Sequence, residues 1–345
     1  MTGLRIRGED VRRYILNNIE KHPADISKVT AKQFDITRQA VNKHLQKLTA
    51  EKALAVTGNT RNKTYAVVPL SQWTQGYPIA PGLAEDLIWR NDINPKLAHL
   101  PANVLNIWHY GFTEMFNNAI DHSSGSRIIV QITKTAANTQ ILITDNGIGI
   151  FKKIQGELNL IDARHAVFEL AKGKLTTDPK NHTGEGIFFS SRMMDSYTIL
   201  SDGAWFNHKF GDPEDWILQQ DGGQGTNVFM KLNNHTSRTM KKVFEQYSAG
   251  EEYGFNKTVV PVNLAQYGAE ALISRSQAKR LLARVELFKK VIFDFKEVNE
   301  IGQAFADEIF RVFANQHPDI ELVAIHENAN VKQMILRAKR PIKQI

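Results

Sequence analysis

Three polar side chains recur along one face of a predicted helix, where apolar residues would make an easier core. The stretch FTEMFNNAIDHSSGS, residues 112–126, begins as an amphipathic helix and ends in a Ser- and Gly-rich turn. Glu114, Asn118 and His122 are spaced by four, so they lie one helical turn apart, and Asp121 borders the same face. A carboxylate, an amide and an imidazole in a row indicate ligand-binding or acid–base chemistry.

The flanking sequence predicts the elements that would position this helix. SRIIVQITKT and TQILITDNGIGI read as strands, and HTGEGIFFSSRMMD and GGQGTNVFMKL follow after a long polar stretch. Each Gly motif alone is a weak signal, because Asp-Asn-Gly is first of all a turn former. The order helix, strand, strand, Gly turn, loop, Gly turn, helix, strand is far more specific.

In that order, EMFNNAIDH, DNGIGI, TGEGI and GT resemble the N, G1, G2 and G3 boxes of a known ATP-binding fold. This is the GHKL type, a Bergerat-type α/β sandwich shared by gyrase B, Hsp90, histidine kinases and MutL. Glu-x-x-x-Asn-Ala-x-x-His is most similar to the anti-sigma-factor serine kinases. Sensor histidine kinases are set aside, because no dimerisation helix with a phospho-acceptor histidine precedes the fold, and His109 lies on the ATP-domain helix itself.

The resemblance implies roles for the first box. Glu114 would be the general base, and Asn118 would ligate Mg²⁺, which prefers oxygen. His122 matches the family position, although a histidine at a helix end beside Ser123 and Ser124 is also a plausible cap. The alternative for Glu114 is a helix-surface acid with Asn118 as its polar neighbour.

The remaining boxes would hold ATP. Asp145 would accept a hydrogen bond from the adenine amino group, and free amides at the start of the following helix would face phosphate. The residues implied to bind nucleotide, besides Asn118 and His122, are Asp145, Gly147, Gly149, Thr183, Gly184, Gly186 and Thr226. Residues 151–183 would form the lid, in which Lys172 and Lys174 either neutralise phosphate or lie on the surface.

A basic segment precedes this region. Residues 1–63 hold 13 Lys and Arg against 6 Asp and Glu, which accounts for the whole net charge of +7. GEDVRRYILNNIEKH, DISKVTAKQF and ITRQAVNKHLQKLTAEKAL predict three helices, the last capped by Thr37, and two short β-prone runs follow. A localised basic excess indicates a polyanion partner.

This order resembles the bacterial winged helix-turn-helix regulators. The resemblance implies that the third helix enters the major groove of double-stranded DNA, with Arg61 and Lys63 of the wing on phosphates. Its outward residues would be Thr37, Arg38, Gln39, Asn42 and Lys43. The alternatives are a winged helix that binds protein, or a scaffold.

Two further segments complete an α+β multidomain chain. Five of the eleven prolines fall in residues 69–101, which predicts a connector with a short helix at Leu83–Arg90. After residue 256, strand and helix alternate as in a small α/β layer. VIFDFKEVNEIGQAFADEIF resembles the STAS-like domains related to anti-anti-sigma factors. The predicted units are 1–70 winged helix-turn-helix, 71–101 connector, 102–235 ATP-binding domain and 256–345 STAS-like domain.

One departure limits the last resemblance. Anti-anti-sigma factors carry a phosphorylated Ser at the start of the helix after the Asp-containing strand, whereas this chain has Ile301, Gly302, Gln303 and Ala304. The domain is therefore expected to be a protein-docking or regulatory module rather than a phosphorylation substrate.

Composition excludes several kinds of site and segment. The chain has 345 residues, 42% of them hydrophobic, and no cysteine, so disulfides and thiolate metal sites are excluded. No apolar run reaches the roughly 20 residues needed to cross a bilayer. We therefore expect a cytoplasmic protein without membrane contact, and the fold family implies a homodimer.

Three functions fit these patterns. The DNA-binding head favours an ATP-binding transcriptional regulator with slow Mg²⁺-dependent hydrolysis, whose nucleotide state gates DNA or partner binding. The Glu-x-x-x-Asn-Ala-x-x-His pattern and the STAS-like tail favour a serine/threonine protein kinase. The third reading is ATP as a purely structural ligand.

Overall fold

The structure, a computed structural model, describes residues 3–59, 62–160, 162–175, 184–211, 223–248, 254–266 and 271–340. The N-terminal unit has three helices and a β-hairpin. Helix α1 spans Gly3–Asn18, α2 spans Ile26–Phe34 and α3 spans Arg38–Ala50, and strand β1 (Leu54–Thr57) pairs antiparallel with β2 (Thr64–Val67). The predicted cap of α3 is confirmed, because Oγ1 of Thr37 accepts a hydrogen bond from the amide of Ala40 at 3.2 Å.

A six-stranded antiparallel sheet forms the middle of the chain. Its strands are β3 (Pro69–Pro78), β4 (Arg127–Thr135), β5 (Asn138–Asp145), β6 (Ser196–Ser201), β7 (Ala204–Lys209) and β8 (Thr226–Asn233). The spatial order is β3-β4-β5-β8-β6-β7, so β8 lies between β5 and β6. The register Thr144↔Asn227 therefore places the end of β5 beside the start of β8.

The interpretation of 71–101 as a connector was wrong for its first part. Strand β3 pairs with β4 along its length and forms one edge of the sheet. Two of the five prolines that suggested an interruption, Pro69 and Pro78, stand at the two ends of this edge strand, where a missing amide donor is tolerated. Helix α4 (Glu85–Ile88), a π-helical turn (Trp89–Ile93) and α5 (Asn94–Leu97) follow.

Helices pack against this sheet and bury its core. Helix α6 spans Ala102–His122, and Trp108, Phe112 and Phe116 on it are fully buried. Helices α7 (Ile150–Glu157), α8 (Ala163–Lys172), α9 (Gly186–Met193) and α10 (Met240–Gln246) complete the layer. The buried aromatic face of α6 packs on the sheet and fixes the position of the polar face relative to β5 and β8.

The C-terminal unit has a parallel sheet with helical crossovers. Strands β9 (Lys257–Pro261), β10 (Lys290–Asp294) and β11 (Glu321–Ile325) lie in the order β11-β10-β9. Helix α11 spans Arg275–Leu282, α12 (Gln303–Asp307) continues through a π-helical turn (Glu308–Phe313) into α13 (Ala314–Gln316), and α14 spans Ala329–Ala338. The alternation of strand and helix predicted after residue 256 is confirmed. No helix within the described ranges is both long and apolar enough to span a membrane.

The attachment of β3 can be tested through Tyr77, whose hydroxyl donates to Oδ2 of Asp92 at 2.7 Å. Tyr77→Phe removes a hydrogen bond to a carboxylate and should cost about 1–3 kcal/mol in the local opening free energy of β3. Native-state hydrogen exchange of the amides of residues 72–77 measures it. Gln72→Ala, on an exposed position of the same strand, is the control and should leave exchange unchanged. Equal exchange in Tyr77→Phe and in the unmodified protein would contradict this account.

Candidate functional site

A cavity of about 260 Å³ lies where α6, β5, β8 and α9 meet. Its walls come from segments that are far apart in sequence. Seven of the residues predicted from sequence line it: Glu114, Asn118, His122, Asp145, Gly184, Gly186 and Thr226. Thr183 lies outside the described residues.

The polar face of α6 opens into this cavity. Glu114, Asn118 and His122 line it in succession, whereas Asp121 is exposed and is not among the described lining residues. Two tyrosines lie near Glu114, of which Tyr197 is fully buried and Tyr110 is half-buried. Burial and the nearby Glu114 carboxylate raise the pKa values of both phenols. Both phenols are therefore neutral hydrogen-bonding groups, and the hydroxyl of Tyr197 donates to Sδ of Met115 at 2.7 Å.

Helix α9 begins directly against Glu114. A Cβ atom on Gly186, the first residue of α9, would lie 2.0 Å from Oε2 of Glu114. Only glycine allows this approach without moving the carboxylate. The carboxylate thus stands at the amino-terminal end of α9, where unpaired amides and the helix dipole favour negative charge.

Asp145 is buried at the opposite wall. Its Oδ1 accepts hydrogen bonds from the amides of Gly147 at 2.8 Å and Thr226 at 3.3 Å. Burial raises the pKa of Asp145, and these hydrogen bonds to the charged form oppose the shift. Oγ1 of Thr226 in turn accepts the amide of Ile150 at 3.1 Å, which ties the start of α7 to β8.

Gly147 and Gly149 pack against neighbouring segments of the chain, and their part in binding nucleotide stays a prediction. Neither is among the described residues that line the cavity. A Cβ on Gly147 would lie 2.0 Å from the carbonyl oxygen of Ser123, and one on Gly149 would lie 2.1 Å from Oδ2 of Asp202. Gly149 also has a φ of +89°. These glycines let the 146–149 loop pack against the end of α6 and the β6–β7 turn.

Lys153 was missed by the sequence reasoning. It lines the cavity from the first turn of α7, and its Nζ donates to the carbonyl oxygen of His122 at 3.2 Å. A single lysine on a short helix has no pattern that separates it from a surface residue, so the sequence carried no signal. No sequence pattern singled out the apolar wall either, which includes Met115, Ile143 and Val228.

The predicted DNA-contacting residues lie in the N-terminal unit. The five from α3 and its cap are all exposed: Thr37, Arg38, Gln39, Asn42 and Lys43. Lys63, directly before β2, is exposed as well, and Arg61 lies outside the described residues.

In the part of the chain that the structure describes, no group of three or more His, Asp and Glu side chains is placed to hold a metal ion.

In the C-terminal unit, α12 begins after Gly302, where an added Cβ would lie 2.7 Å from Cα of Ile273. This close packing explains the glycine at the start of α12.

Comparison with known families identifies the C-terminal unit. Residues 277–332 match the model of the STAS-like domain of unknown function (DUF4325). The chain carries a STAS-like domain. No curated protein matches the sequence.

Lys172 and Lys174 bind the STAS-like domain, which corrects their proposed role at phosphate. Nζ of Lys172 donates to Oε1 of Glu169 at 2.7 Å and to the carbonyl oxygens of Arg280 and Ala283 at 3.2 and 2.8 Å. Nζ of Lys174 donates to the carbonyl oxygen of Leu287 at 2.8 Å. Lys172 is only 1% exposed, and burial lowers its pKa while Glu169 opposes the shift.

The contact between Gly186 and Glu114 predicts that Gly186→Ala changes stability in opposite directions with and without Glu114. Gly186→Ala should destabilise the protein by about 1–2 kcal/mol, because the new methyl group displaces a carboxylate. In a Glu114→Ala background the same substitution should stabilise by up to about 1 kcal/mol, since Ala has the higher helix propensity. Thermal unfolding of the four proteins measures both changes.

Gly156→Ala provides the matched control. Gly156 lies within helix α7, and no atom lies within 4 Å of an added Cβ. It should stabilise slightly in both backgrounds. A Gly186→Ala effect of the same sign with and without Glu114 would show that the two groups do not compete for space.

Proposed function

We propose that the protein is an ATP-binding, DNA-binding transcriptional regulator whose nucleotide state gates DNA or partner binding, with slow Mg²⁺-dependent hydrolysis. The observation that carries the proposal is convergence: residues from all four boxes of the GHKL-like pattern meet at one cavity, with Glu114 at the start of α9 and Asp145 at the opposite wall. The central sheet with its layer of helices agrees with the Bergerat-type sandwich.

The two walls suit the two ends of a nucleotide. Asp145 would accept a hydrogen bond from the exocyclic amino group of adenine, and the apolar wall would exclude water from the base. At the other end, Gly184, Gly186 and the amide groups that begin α9 would face the phosphates. Lys153 adds a cation to the cavity.

Magnesium fits the donor set. Asn118 supplies a side-chain oxygen in the cavity, and Mg²⁺ is commonly held by one or two protein oxygens together with phosphates and water. When bound, the ion would neutralise phosphate charge. Glu114, one helical turn away, would accept the proton of an attacking water or hydroxyl group.

The N-terminal unit supports the DNA-binding half of the proposal. Three helices and a β-hairpin have the order of a winged helix-turn-helix. Helix α3 buries Val41, Leu45 and Leu48 and leaves its polar residues exposed, as a recognition helix requires. The local excess of basic residues would attract the phosphate backbone.

Strand β8 connects the cavity with the N-terminal unit. It begins at Thr226 in the cavity and ends beside α1, where Nζ of Lys231 donates to both carboxylate oxygens of Glu20 at 2.6 and 2.8 Å. Nδ2 of Asn233 donates to Oδ1 of Asn17 at 2.7 Å. A change at the cavity end of one strand would reach the N-terminal unit, which supports gating by nucleotide. A homodimer and a cytoplasmic location remain predictions.

A second candidate is a serine/threonine protein kinase of the anti-sigma type. The observation that favours it is Glu114 in the cavity of a chain that also carries a STAS-like domain, because STAS-like domains often mediate protein interactions. In that case Glu114 would activate a partner's hydroxyl group rather than water.

The first test follows phosphate from γ-labelled ATP with Mg²⁺, with and without a cell lysate. We expect slow release of free phosphate, reduced roughly a hundredfold or more in Glu114→Ala, because a general base contributes on the order of 10²–10⁴. Equilibrium binding of ATP should be retained in that variant. Glu157→Ala, an exposed acid on α7, is the control and should behave as the unmodified protein.

The outcomes separate the candidates. Label on a lysate protein that disappears with Glu114→Ala would establish the kinase. Binding without any turnover, unchanged by Glu114→Ala, would leave ATP as a structural ligand. Absence of ATP binding would contradict both proposed functions.

The DNA half makes its own prediction. Lys63→Ala should weaken binding to random-sequence duplex DNA and reduce the slope of log affinity against log salt by about 1, because one phosphate contact is lost. Arg38→Ala should also weaken binding. Fluorescence anisotropy at several salt concentrations, with ATP and with ADP, measures both effects and the gating.

Lys241→Ala is the charge-matched control, since Lys241 lies on α10 and is 76% exposed. Equal losses in all three variants would mean that binding follows overall charge alone. Identical DNA affinity in ATP and ADP would contradict gating.

A further inference from the structure

A buried ionic cluster joins the cavity wall to the STAS-like domain. It consists of Glu169, Lys172 and Arg284, in which both oxygens of Glu169 are used: Oε1 accepts from Lys172 at 2.7 Å and Oε2 accepts from Nη1 of Arg284 at 3.3 Å. Glu169 is 5% exposed. We call these three residues the cluster.

The cluster also occupies the end of helix α11. The carbonyl oxygens of Arg280 and Ala283, which accept from Lys172, belong to the last turn and the C-cap of α11. A buried ammonium at this position gives both carbonyl oxygens a charged donor, although that of Arg280 also accepts the amide of Ala283 at 3.3 Å. It also complements the negative end of the helix dipole. The STAS-like domain thus holds the ammonium of Lys172 by its own backbone.

Further contacts extend the attachment along the backbone from Lys172 to Lys174. Oγ1 of Thr258, which is fully buried, donates to the carbonyl oxygen of Lys172 at 2.7 Å. Arg284 also donates through Nη2 to the carbonyl oxygen of Lys174. Gly173, with a φ of +84°, packs so closely on Phe255 that an added Cβ would lie 2.6 Å from Cζ. The segment Glu169–Leu175 is therefore fixed at several points over seven residues.

The same segment forms part of the cavity wall. Leu170 and Leu175 line the cavity, and so does Phe188, whose ring lies 4.5 Å from that of Phe255. The polar atoms of the segment face the C-terminal unit while two of its leucines face the cavity.

We propose that Lys172 and Arg284 are positioning residues through which the STAS-like domain sets the affinity of the cavity for ATP. The proposal rests on the proposed ATP site and deepens it by naming its regulation. A wall that is held in place before ATP arrives need not be ordered on binding, so affinity is higher while the cluster is intact. By reciprocity, ATP must stabilise the same contacts from the other side.

The test compares Arg284→Ala and Thr258→Val with Lys279→Ala. Lys279 lies on α11, carries the same charge as Arg284 and is 70% exposed, so it serves as the matched control. Isothermal titration of the full chain with Mg²⁺–ATP gives the Kd, and hydrogen–deuterium exchange reports residues 166–175 and 284–288. We expect the Kd to rise about fivefold or more in Arg284→Ala, less in Thr258→Val, and not in Lys279→Ala.

Exchange distinguishes positioning from general destabilisation. In the unmodified protein, ATP should slow exchange of residues 284–288, and this protection should be lost in Arg284→Ala while exchange of the central sheet is unchanged. If Arg284→Ala does not fold, Thr258→Val, which is nearly isosteric, carries the test alone.

The failures are separable. ATP binding that is equally tight in the control and in the folded Arg284→Ala and Thr258→Val variants would overturn the inference and leave the proposed ATP site intact. Absence of ATP binding by the unmodified chain would overturn both. Unchanged exchange of residues 166–175 in Arg284→Ala and in Thr258→Val would show that these contacts do not hold the wall.

Discussion

The insertion of β8 between β5 and β6 is the constraint on which the cavity depends. Hydrogen bonding on both sides of β8 places Thr226 beside Asp145, although the two residues are 81 positions apart. Gly225, with a φ of +85°, makes this possible, because an added Cβ would lie 2.1 Å from the carbonyl oxygen of Asp145. Closing a loop of this length costs conformational entropy, which only the finished contacts offset. The cavity therefore forms only when the sheet is complete.

Two routes connect the cavity with the other two units of the chain. Strand β8 leaves it towards α1, and the segment Glu169–Leu175 leaves it towards the STAS-like domain. Both routes use charged or amide side chains against backbone or side-chain partners, not apolar contacts alone. Hydrogen bonds of this kind are directional. A small displacement of the cavity wall is therefore either resisted by these contacts or passed on to the unit that they bind.

Sequence patterns identified most elements whose cause is local. Alternating burial was readable in β4 and β5, and helical periodicity in α3 and α6. The hairpin of β6 and β7 was missed, although Asp202 and Gly203, both with positive φ, form the Asp-Gly turn typical of two-residue hairpins. Strand β3 was missed because its prolines mimic a linker, and only pairing with β4 shows that they mark the ends of an edge strand.

The same division holds for the site. The sequence by itself determined that Glu114, Asn118 and His122 share a helix face and that a basic, three-helix segment precedes them, since both follow from spacing and composition. Tertiary structure alone decided that Gly186 abuts Glu114 and that Lys172 binds the end of α11 rather than facing the cavity. The physical reason is that helix and strand periodicities are encoded within a few residues, whereas the fate of a buried charge is set by partners that the fold brings from far along the chain.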